Sequence, residues 1–426
     1  MKTIITLLVS FFVAITATQA QWVPQTVPAN VDLVRYIDIV DPNVIWAYHL
    51  DVAPNILRTT NGGGTWSTVT VNIPNAAGKT FDIFSLEAID ANTAYIAGAL
   101  GGSVGPRLAQ VYKTTDAGIT WTLIPGIYTS QNSYVNFVQF FDASNGVIVG
   151  DLQEIYTTND GGNTWTIVPQ ANLPAPTAED YTLERRVVLG DTIWVTAGGM
   201  RIYKSIDKGL HWTASSTNIV ANTPGFGPIP VGLAFQDGNI GLVNHGNNLS
   251  RTTDGGQTWT PVTYSGPFFN YGITHVTGTP QTYVSFTPVN TNPGISITHD
   301  GGLTWSLMDN NAHSSAAFIN SQTGWSGGIG TMYKLAANIS GTTKELSSAN
   351  NFVIYPNPSQ GLFTIIPASA KSFNLEVYDL AGKRVMQQEG NRFGKNALDL
   401  SGQKKGIYLL HILSGEQQII EKIVLQ

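Results

Sequence analysis

The sequence lacks cysteine, and only 12% of its 426 residues are charged. Without cysteine there is neither a disulfide framework nor a cysteine-based metal site, and a chain of this length can bury enough apolar surface to fold without cross-links. The formal net charge of −6 excludes a nucleic-acid partner bound by phosphate neutralisation. Beyond the N-terminus no segment approaches eighteen consecutive apolar residues, so we predict no membrane span in the mature chain.

The N-terminus has the pattern of an export signal. Lys2 precedes an apolar run at 4–15, and Thr18 and Ala20 place small residues at the −3 and −1 positions of a cleavage site. We therefore predict a signal peptide over 1–20.

A repeated octapeptide dominates the remaining sequence. The pattern [Ser/Thr]-x-[Asp/Asn]-x-Gly-x-Thr-Trp occurs six times, with His211 in place of threonine in the fourth copy. Its tryptophans lie at 66, 121, 165, 212, 259 and 305, which gives separations of 55, 44, 47, 47 and 46 residues. A period in the forties with strand-like flanking segments is typical of one propeller blade of four strands.

Each repeat can be divided into four short strands. In the third repeat these are predicted at 134–140, 146–150, 154–158 and 164–168, separated by Gly- and Asn-rich turns. Seven second strands accompany only six motif turns, because the last repeat (313–335) ends after its third strand. The segment 21–27 resembles a fourth strand, so we predict that it completes the last repeat, with Trp22 as the seventh tryptophan.

These turns resemble the Asp-box, or BNR, motif of several β-propeller families. The resemblance implies an all-β fold with a seven-bladed propeller over 21–335, in which the Asp or Asn side chain bonds its own turn and the tryptophan packs between blades. A metal-binding role for the turns is the alternative, but each turn has one carboxylate, whereas a calcium loop gathers several. The predicted structural residues are Asn61, Trp66, Asp116, Trp121, Asp160, Trp165, Asp207, Trp212, Asp254, Trp259, Asp300 and Trp305.

The C-terminal part has a different pattern. A polar linker is predicted over 336–349, and 350–426 contains Tyr-Pro-Asn-Pro, Asp-Leu-x-Gly-Lys and Gly-Ile-Tyr-Leu in that order. This series resembles the type IX secretion sorting domain of Bacteroidota. It implies a small Ig-like β-sandwich, recognition by the type IX machinery as partner, and secretion or attachment to the outer-membrane surface. An ordinary Ig-like module is the alternative.

No catalytic residue, metal ligand or cofactor is predicted. Ser326 lies in a Gly-x-Ser-x-Gly sequence, but the nucleophile elbow needs a strand-to-helix turn, and this serine lies in a predicted strand. Sialidases share the Asp-box, yet the segment 34–39 lacks their Arg-Ile-Pro. Xyloglucan-cleaving enzymes need two propellers, and this chain has one. The single, non-catalytic photosystem II assembly-factor propellers are the most similar in size and spacing.

The propeller region is acidic, with 12 Lys or Arg against 21 Asp or Glu over 21–343, a net of −9. Most of its arginines nevertheless fall at first-strand starts or second-to-third-strand loops, which surround the face opposite the motif turns. We therefore predict a binding propeller that recognises an anionic group on a glycan or protein, since Arg suits carboxylate, sulfate and phosphate. The candidate ligand-binding residues are Arg35, Arg107, Arg185, Arg186, Arg201, Asp51, Asp151, Glu154 and His245.

Three alternatives remain open from the sequence. The first is a glycan-active hydrolase or lyase with two converging carboxylates in the funnel, drawn from Asp51, Asp151, Glu154, Glu179 and Asp180. The second is a surface or adhesion protein without a discrete pocket. The third is that Glu184, Asp180 and Asp151 neutralise the arginines in surface ion pairs.

Overall fold

The computed structural model of the chain separates into two compact units, residues 1–339 and 340–426. The described residues are 22–49, 55–73, 79–101, 108–128, 133–177, 183–219, 232–289, 291–336, 338–339, 352–367, 373–379, 382–390, 396–414 and 417–426. The predicted signal peptide and most of the predicted linker lie outside them. In the described part of the chain, no helix has the length and apolar character needed to cross a membrane.

The described residues of the first unit form seven four-stranded antiparallel sheets, which we number I to VII in chain order. Sheet I comprises β2 (Val34–Ile39), β3 (Ile45–His49), β4 (Asn55–Thr59) and β5 (Ser67–Thr70). Sheet II comprises β6 (Thr80–Ala88), β7 (Ala94–Gly101), β8 (Leu108–Thr114) and β9 (Thr122–Leu123). Sheet III comprises β10 (Val135–Phe140), β11 (Gly146–Gly150), β12 (Ile155–Thr158) and β13 (Thr166–Ile167).

The remaining sheets repeat this order. Sheet IV comprises β14 (Leu183–Leu189), β15 (Thr192–Ala197), β16 (Arg201–Ser205) and β17 (Thr213–Ser216). Sheet V comprises β18 (Gly232–Phe235), β19 (Gly241–His245), β20 (Asn248–Thr252) and β21 (Thr260–Pro261). Sheet VI comprises β22 (Gly272–His275), β23 (Tyr283–Thr287), β24 (Gly294–Thr298) and β25 (Ser306–Asp309). Two short 3-10 helices, Asp151–Gln153 and Gln170–Asn172, flank sheet III strands.

Sheet VII joins the two ends of the unit. It consists of β26 (Ser315–Asn320), β27 (Thr323–Gly327), β28 (Met332–Leu335) and, as its outer strand, β1 (Trp22–Gln25). Trp22 lies opposite Leu335, and Gln25 lies opposite Met332. The Trp22 side chain is 1% exposed and packs against Phe318 and His313 at ring-centroid distances of 5.8 Å. The strand thus gives the last sheet a paired outer edge and a buried aromatic anchor.

The first strands of the sheets form a closed cycle. Each contacts the first strand of the next sheet, and β26 of sheet VII contacts β2 of sheet I. The second strands are almost wholly buried, as in β3 and β11, because neighbouring sheets cover both of their faces. Trp194 of sheet IV and Phe235 of sheet V stack across one such junction with centroids 4.0 Å apart. The core is therefore a series of apolar layers between consecutive sheets.

The six motif turns connect third to fourth strands. In each turn the Asp side chain, or Asn61 in the first copy, accepts hydrogen bonds from residues of the same turn. In the copy around Asp254, Oδ1 accepts hydrogen bonds from the Thr252 hydroxyl (2.8 Å) and the Thr258 amide (2.9 Å), and Oδ2 accepts one from the Thr258 hydroxyl (2.6 Å). These bonds lower the pKa of Asp254 to about 2, with the Thr258 hydroxyl as the largest cause. His211 replaces the second threonine in the fourth copy, and its Nδ1 lies 2.7 Å from Asp207 Oδ2.

The turn conformation explains why only one of its two glycine positions is constant in the six copies. The second position has φ between 76° and 96° in all copies and is always glycine, because a Cβ is strained there. The position before it has φ between 59° and 73°, in the ordinary left-handed region, and accepts Ala117 and Lys208 as well as glycine.

The second unit has two sheets that share one core. The first contains β29 (Phe352–Tyr355), β30 (Leu362–Pro367) and β33 (Asn396–Asp399); the second contains β31 (Phe373–Asp379), β32 (Arg384–Gly390), β34 (Gly406–Ser414) and β35 (Gln417–Leu425). Phe363 and Leu398 of one sheet and Leu375 and Leu410 of the other belong to the same buried cluster. This core is separate from those of the first unit.

Candidate functional site: a cavity at the starts of the first strands

A cavity of about 660 Å³ lies inside the cycle of first strands, and residues from all seven sheets line it. The first strands begin at the cavity, as the positions of Arg35 in β2 and Arg185 in β14 show. First and third strands run in the same direction, and the motif turns follow the ends of the third strands. The turns therefore lie at the end of the sheets opposite the starts of the first strands. The cavity and the Asp-box turns are therefore on opposite faces of the first unit.

Four adjacent first strands are irregular where they meet the cavity. The pairing register with the second strand shifts around Arg35 in β2, Phe84 in β6, Asn136 in β10 and Arg185 in β14. A bulge adds an unpaired residue and redirects its side chain, and all four of these residues line the cavity. Sheets I to IV thus supply side chains that a regular strand would orient differently.

Two of the bulged residues are arginines without carboxylate partners among the described residues. Arg35 is exposed, and no ion pair in the described part of the chain includes Arg35 or Arg185. The Arg185 guanidinium lies 5.9 Å from the ring centroid of Tyr271. Both arginines lie close enough to Tyr48 to oppose the rise in the pKa of its phenol that burial causes. This part of the cavity therefore has a local positive charge in an acidic unit.

An aromatic pair forms another part of the wall. Phe84 of sheet II and Tyr134, which directly precedes β10, stack with centroids 5.0 Å apart and ring planes at 17°. Tyr134 is 38% exposed, and its carbonyl accepts a 2.9 Å hydrogen bond from the Asp151 amide. The Phe84 carbonyl accepts a 2.7 Å hydrogen bond from the Tyr48 hydroxyl. Backbone contacts on both sides thus fix the position of an exposed ring.

Arg186, the next residue after Arg185, also lines the cavity, but most of its side chain is buried. Its side chain is 7% exposed and its Nη2 lies 3.7 Å from Glu87 Oε2. Nε donates to Gln139 Oε1 (2.6 Å), and Nη2 donates to the Tyr36 hydroxyl (3.2 Å). Asp38 belongs to the same cluster. Its Oδ2 accepts a 2.5 Å hydrogen bond from the Ala88 amide, and this bond partly offsets the rise in the pKa of Asp38 that burial causes. We call Asp38, Glu87, Gln139, Arg186 and Tyr36 the axial cluster; it connects sheets I to IV.

The axial cluster contains two carboxyl groups and one guanidinium. Burial raises the pKa of Asp38 to about 6, and burial together with the charge of Asp38 raises the pKa of Glu87 well above its usual value. The Arg186 charge opposes both shifts but does not cancel them. Sequence reasoning missed both carboxylates, because they lie 148 and 99 residues before Arg186 in the chain and no local motif contains them.

The structure places the other predicted ligand-binding residues elsewhere. Arg107 and Asp51 lie outside the described residues, as do Glu179 and Asp180. None of the described ones lines the cavity. Arg201 begins β16 with its guanidinium 5.1 Å from the Tyr203 ring, and His245 ends β19. Asp151 is the first residue of a 3-10 helix, and Glu154 directly follows that helix. Asp151 Oδ1 accepts a 3.0 Å hydrogen bond from the Asn136 side chain, so it supports a residue that lines the cavity.

A buried Asp-His-Ser series surrounds the serine of the Gly-x-Ser-x-Gly sequence. His313 Nδ1 lies 2.6 Å from Ser326 Oγ, and its Nε2 lies 2.9 Å from Asp309 Oδ1. The distances resemble those of a hydrolase triad, but Ser326 and His313 are 0% exposed and the serine hydroxyl donates to the Ser315 carbonyl at 2.8 Å. The series packs against Trp22, so it stabilises the junction of sheets VI and VII.

The repeated sheets, the Asp-box turns and the separate C-terminal unit define an exported protein with a BNR-type propeller. Residues 126–371 match the family described as photosynthesis system II assembly factor YCF48, and the chain belongs to that family, since the match covers more than half of it. Residues 353–426 match the secretion system C-terminal sorting domain. This second match identifies the chain as one that the type IX secretion machinery exports to the cell surface or the medium.

Comparisons with individual proteins give the same architecture at low identity. The solved structure of YCF48 bound to a D1 peptide is 16% identical, with a TM-score of 0.54 over 75% of this chain and 97% of that one. An ancestral GH74 enzyme is 14% identical, with a TM-score of 0.53 over 92% of this chain and 55% of that one. An ulvan lyase of Nonlabens ulvanivorans is 21% identical over 253 residues, 56% of this chain. The chain spans 42% of that relative's length.

Proposed function

We propose that the chain is a binding protein in which the seven sheets are the blades of a seven-bladed propeller closed by β1, and that its cavity captures an anionic group of an extracellular ligand. The C-terminal unit is a small β-sandwich that directs export. The order of contacts among the first strands and the pairing of β1 with β28 support the blade number. The two sheets around one core support the sandwich.

One observation carries the binding function. Arg35 and Arg185 lie at bulges in β2 and β14, face the same cavity, and have no ion-pair partner among the described residues. A guanidinium offers a planar set of donors that matches carboxylate, sulfate or phosphate. Two guanidinium groups at one cavity that have no carboxylate partner among the described residues can pair with the anionic group of a ligand, and this supports the proposal.

Catalysis by a carboxylate pair has less support. A glycoside hydrolase needs two carboxyl groups on opposite sides of the scissile bond, and Asp82 is the one acidic residue among the described lining residues. Asp38 and Glu87 converge, but Arg186 lies against Glu87 and both belong to the buried axial cluster. The proteins similar to this chain include one solved with a bound peptide and one named as a lyase.

The test uses two polymers that share a backbone and differ in charge. We expect dextran sulfate, but not dextran, to retard the purified full-length protein in affinity electrophoresis, and salt to reduce the effect. The Arg35→Ala/Arg185→Ala variant should lose the retardation with an unchanged melting temperature. Arg201→Ala removes one guanidinium outside the cavity and should behave as wild type. Equal retardation by both polymers, or loss with Arg201→Ala alone, contradicts the proposal.

A further inference from the structure

We infer that the cavity binds its anion together with a proton. Arg186 is the innermost contact of the anion, and the carboxyl groups of Asp38 and Glu87 in the axial cluster take up the proton. The inference rests on the proposed anion-binding function and adds how that site is regulated. It requires that the affinity for an anion rises as the pH falls.

The first step is the contact of Arg186 with the cavity. Its guanidinium carbon lies 4.8 Å from the ring centroids of both Tyr36 and Phe137. Nε and Nη2 donate to Gln139, to Tyr36 and to the Leu86 carbonyl, whereas Nη1 makes no hydrogen bond to the described residues. Arg186 lines the cavity, so a guanidinium that is fixed by its neighbours keeps the two N–H donors of Nη1 for an anion.

The second step is the position of the other two arginines, Arg35 and Arg185. The Tyr48 ring stacks on the Tyr36 ring, with centroids 6.4 Å apart and ring planes at 28°. Burial raises the pKa of the Tyr48 phenol, and arginine charges oppose this rise in the order Arg185, Arg35, Arg186. Three guanidinium groups that line one cavity are thus close to the same phenol. An anion held by the first two therefore adds negative charge near Arg186.

The third step is the charge balance of the axial cluster, which has one cation for two carboxyl groups. The Glu87 side chain is 8% exposed, and its Oε2 lies 3.7 Å from Arg186 Nη2. Its Oε1 accepts hydrogen bonds from the Gln139 side chain (2.6 Å) and the Phe140 amide (2.9 Å). An anion at Arg186 adds a third negative charge, which favours protonation of a carboxyl group. Anion and proton therefore strengthen each other's binding by the same factor.

The carboxyl groups of the axial cluster already bind protons more strongly than free carboxyl groups. Burial raises the pKa of Asp38 to about 6, and burial together with the Asp38 charge raises the pKa of Glu87 well above its usual value. A further rise on anion binding changes their protonation near neutral pH.

Other charged or titratable groups lie on the strands packed against the cluster. Outside the cluster, the described ones are Arg35, Arg185, Tyr48, His49, Asp82 and Tyr95. Among them, His49 and Asp82 line the cavity and are the alternative proton acceptors that the experiment must separate from Asp38 and Glu87.

The test uses dextran sulfate, because its sulfate esters stay charged and any pH dependence then belongs to the protein. Titration calorimetry of the full-length protein in buffers of different ionisation enthalpy measures the affinity and the number of protons taken up. We expect the wild type to bind about tenfold more tightly at about pH 5.5 than at about pH 7.5, with uptake of about half a proton per site.

Asp38→Asn/Glu87→Gln removes both carboxyl groups and keeps their shapes and acceptor oxygens. We expect this variant to bind at about pH 7.5 as tightly as the wild type does at about pH 5.5, without proton uptake, because the negative charge beside Arg186 is gone. The single variants Asp38→Asn and Glu87→Gln each change affinity and proton uptake in the same direction, and they serve if the double variant does not fold. An equal loss of affinity at both pH values indicates a merely structural role and overturns the inference.

His49→Gln and Asp82→Asn are the matched controls and should both retain the proton uptake. Loss of the uptake in either control assigns the proton to that side chain and overturns the inference. Wild-type binding without pH dependence also overturns it, but still supports the anion-binding function. If dextran sulfate does not bind at either pH, the proposed function and this inference fail together.

Discussion

The carboxylates of the motif turns and those of the axial cluster occupy opposite electrostatic environments. In the turns, hydrogen bonds from threonine hydroxyls and amides stabilise the charged form, and the pKa values of Asp160 and Asp254 fall to about 2. In the axial cluster, burial disfavours the charged form, and the pKa of Asp38 rises to about 6. The same arrangement of hydrogen bonds recurs in the six turns, whereas the axial cluster forms once, from different residues of four sheets. In this protein the repeated residues therefore stabilise the fold, and the candidate site is formed by residues that differ from sheet to sheet.

Loss of Arg186 gives the strongest test of this contrast. Arg186→Ala leaves the buried carboxyl groups of Glu87 and Asp38 without their cation, so we expect the free energy of unfolding to fall by up to about 5 kcal/mol. Arg185→Ala is the matched control, since the neighbouring side chain lines the cavity without an ion pair. Urea denaturation measures both. Similar stabilities for the two variants would show that the axial cluster does not depend on its cation.

Loss of Trp22 tests the sheet that has no motif turn. Trp22→Ala creates a cavity beside His313 and Phe318, and we expect a loss of about 4 kcal/mol. Val23→Ala, in the same strand but with a 42% exposed side chain, should cost less than about 1 kcal/mol. Thermal and urea unfolding of the two variants measure the difference. A wild-type melting temperature for Trp22→Ala contradicts a role of β1 in closing the unit.

The pH dependence of stability separates the two kinds of carboxylate. A folded-state pKa of about 6 for Asp38, above its unfolded value, means that its stabilising contribution is complete below about pH 4 and is lost as the pH rises through about 6. Asp38→Asn keeps an acceptor for the Ala88 amide and removes the titration. We expect this variant to lose a pH-dependent contribution on the order of 2 kcal/mol between pH 4 and pH 7. Unchanged pH profiles would show that Asp38 does not titrate in this range.

The smallest effect is expected at a single motif turn. Asp254→Ala removes the acceptor for three donors, the Thr252 hydroxyl and the Thr258 amide and hydroxyl, and should cost about 1 kcal/mol. Asp254→Asn should cost less, because Asn61 already serves the same position in the first copy. The depressed pKa means that the wild-type contribution of Asp254 is present above about pH 4 and is lost as the pH falls through about 2. Unfolding of both variants at neutral and acidic pH measures this. An equal loss for alanine and asparagine shows that the charge, and not the acceptor geometry, matters.

The sequence by itself determined the repeated part of this protein. The motif spacing indicated four-stranded units, and the local pattern around each aspartate predicted that its side chain bonds its own turn, because all the partners lie within four residues. The sorting-domain motifs indicated export for the same reason, since each is a short contiguous string. These features need no knowledge of which sheets are neighbours.

The tertiary structure decided the candidate site. Arg185 and Arg186 are adjacent in the chain, have the same residue type and both line the cavity. Arg185 nevertheless lies at a bulge with no ion pair among the described residues, whereas Arg186 is buried against Glu87 of a different sheet. A bulge reverses the alternation by which side chains are assigned to faces, and it leaves no mark in the sequence. The partners of Arg186 come from three other sheets, so only closure of the cycle of first strands brings Asp38, Glu87 and Gln139 together.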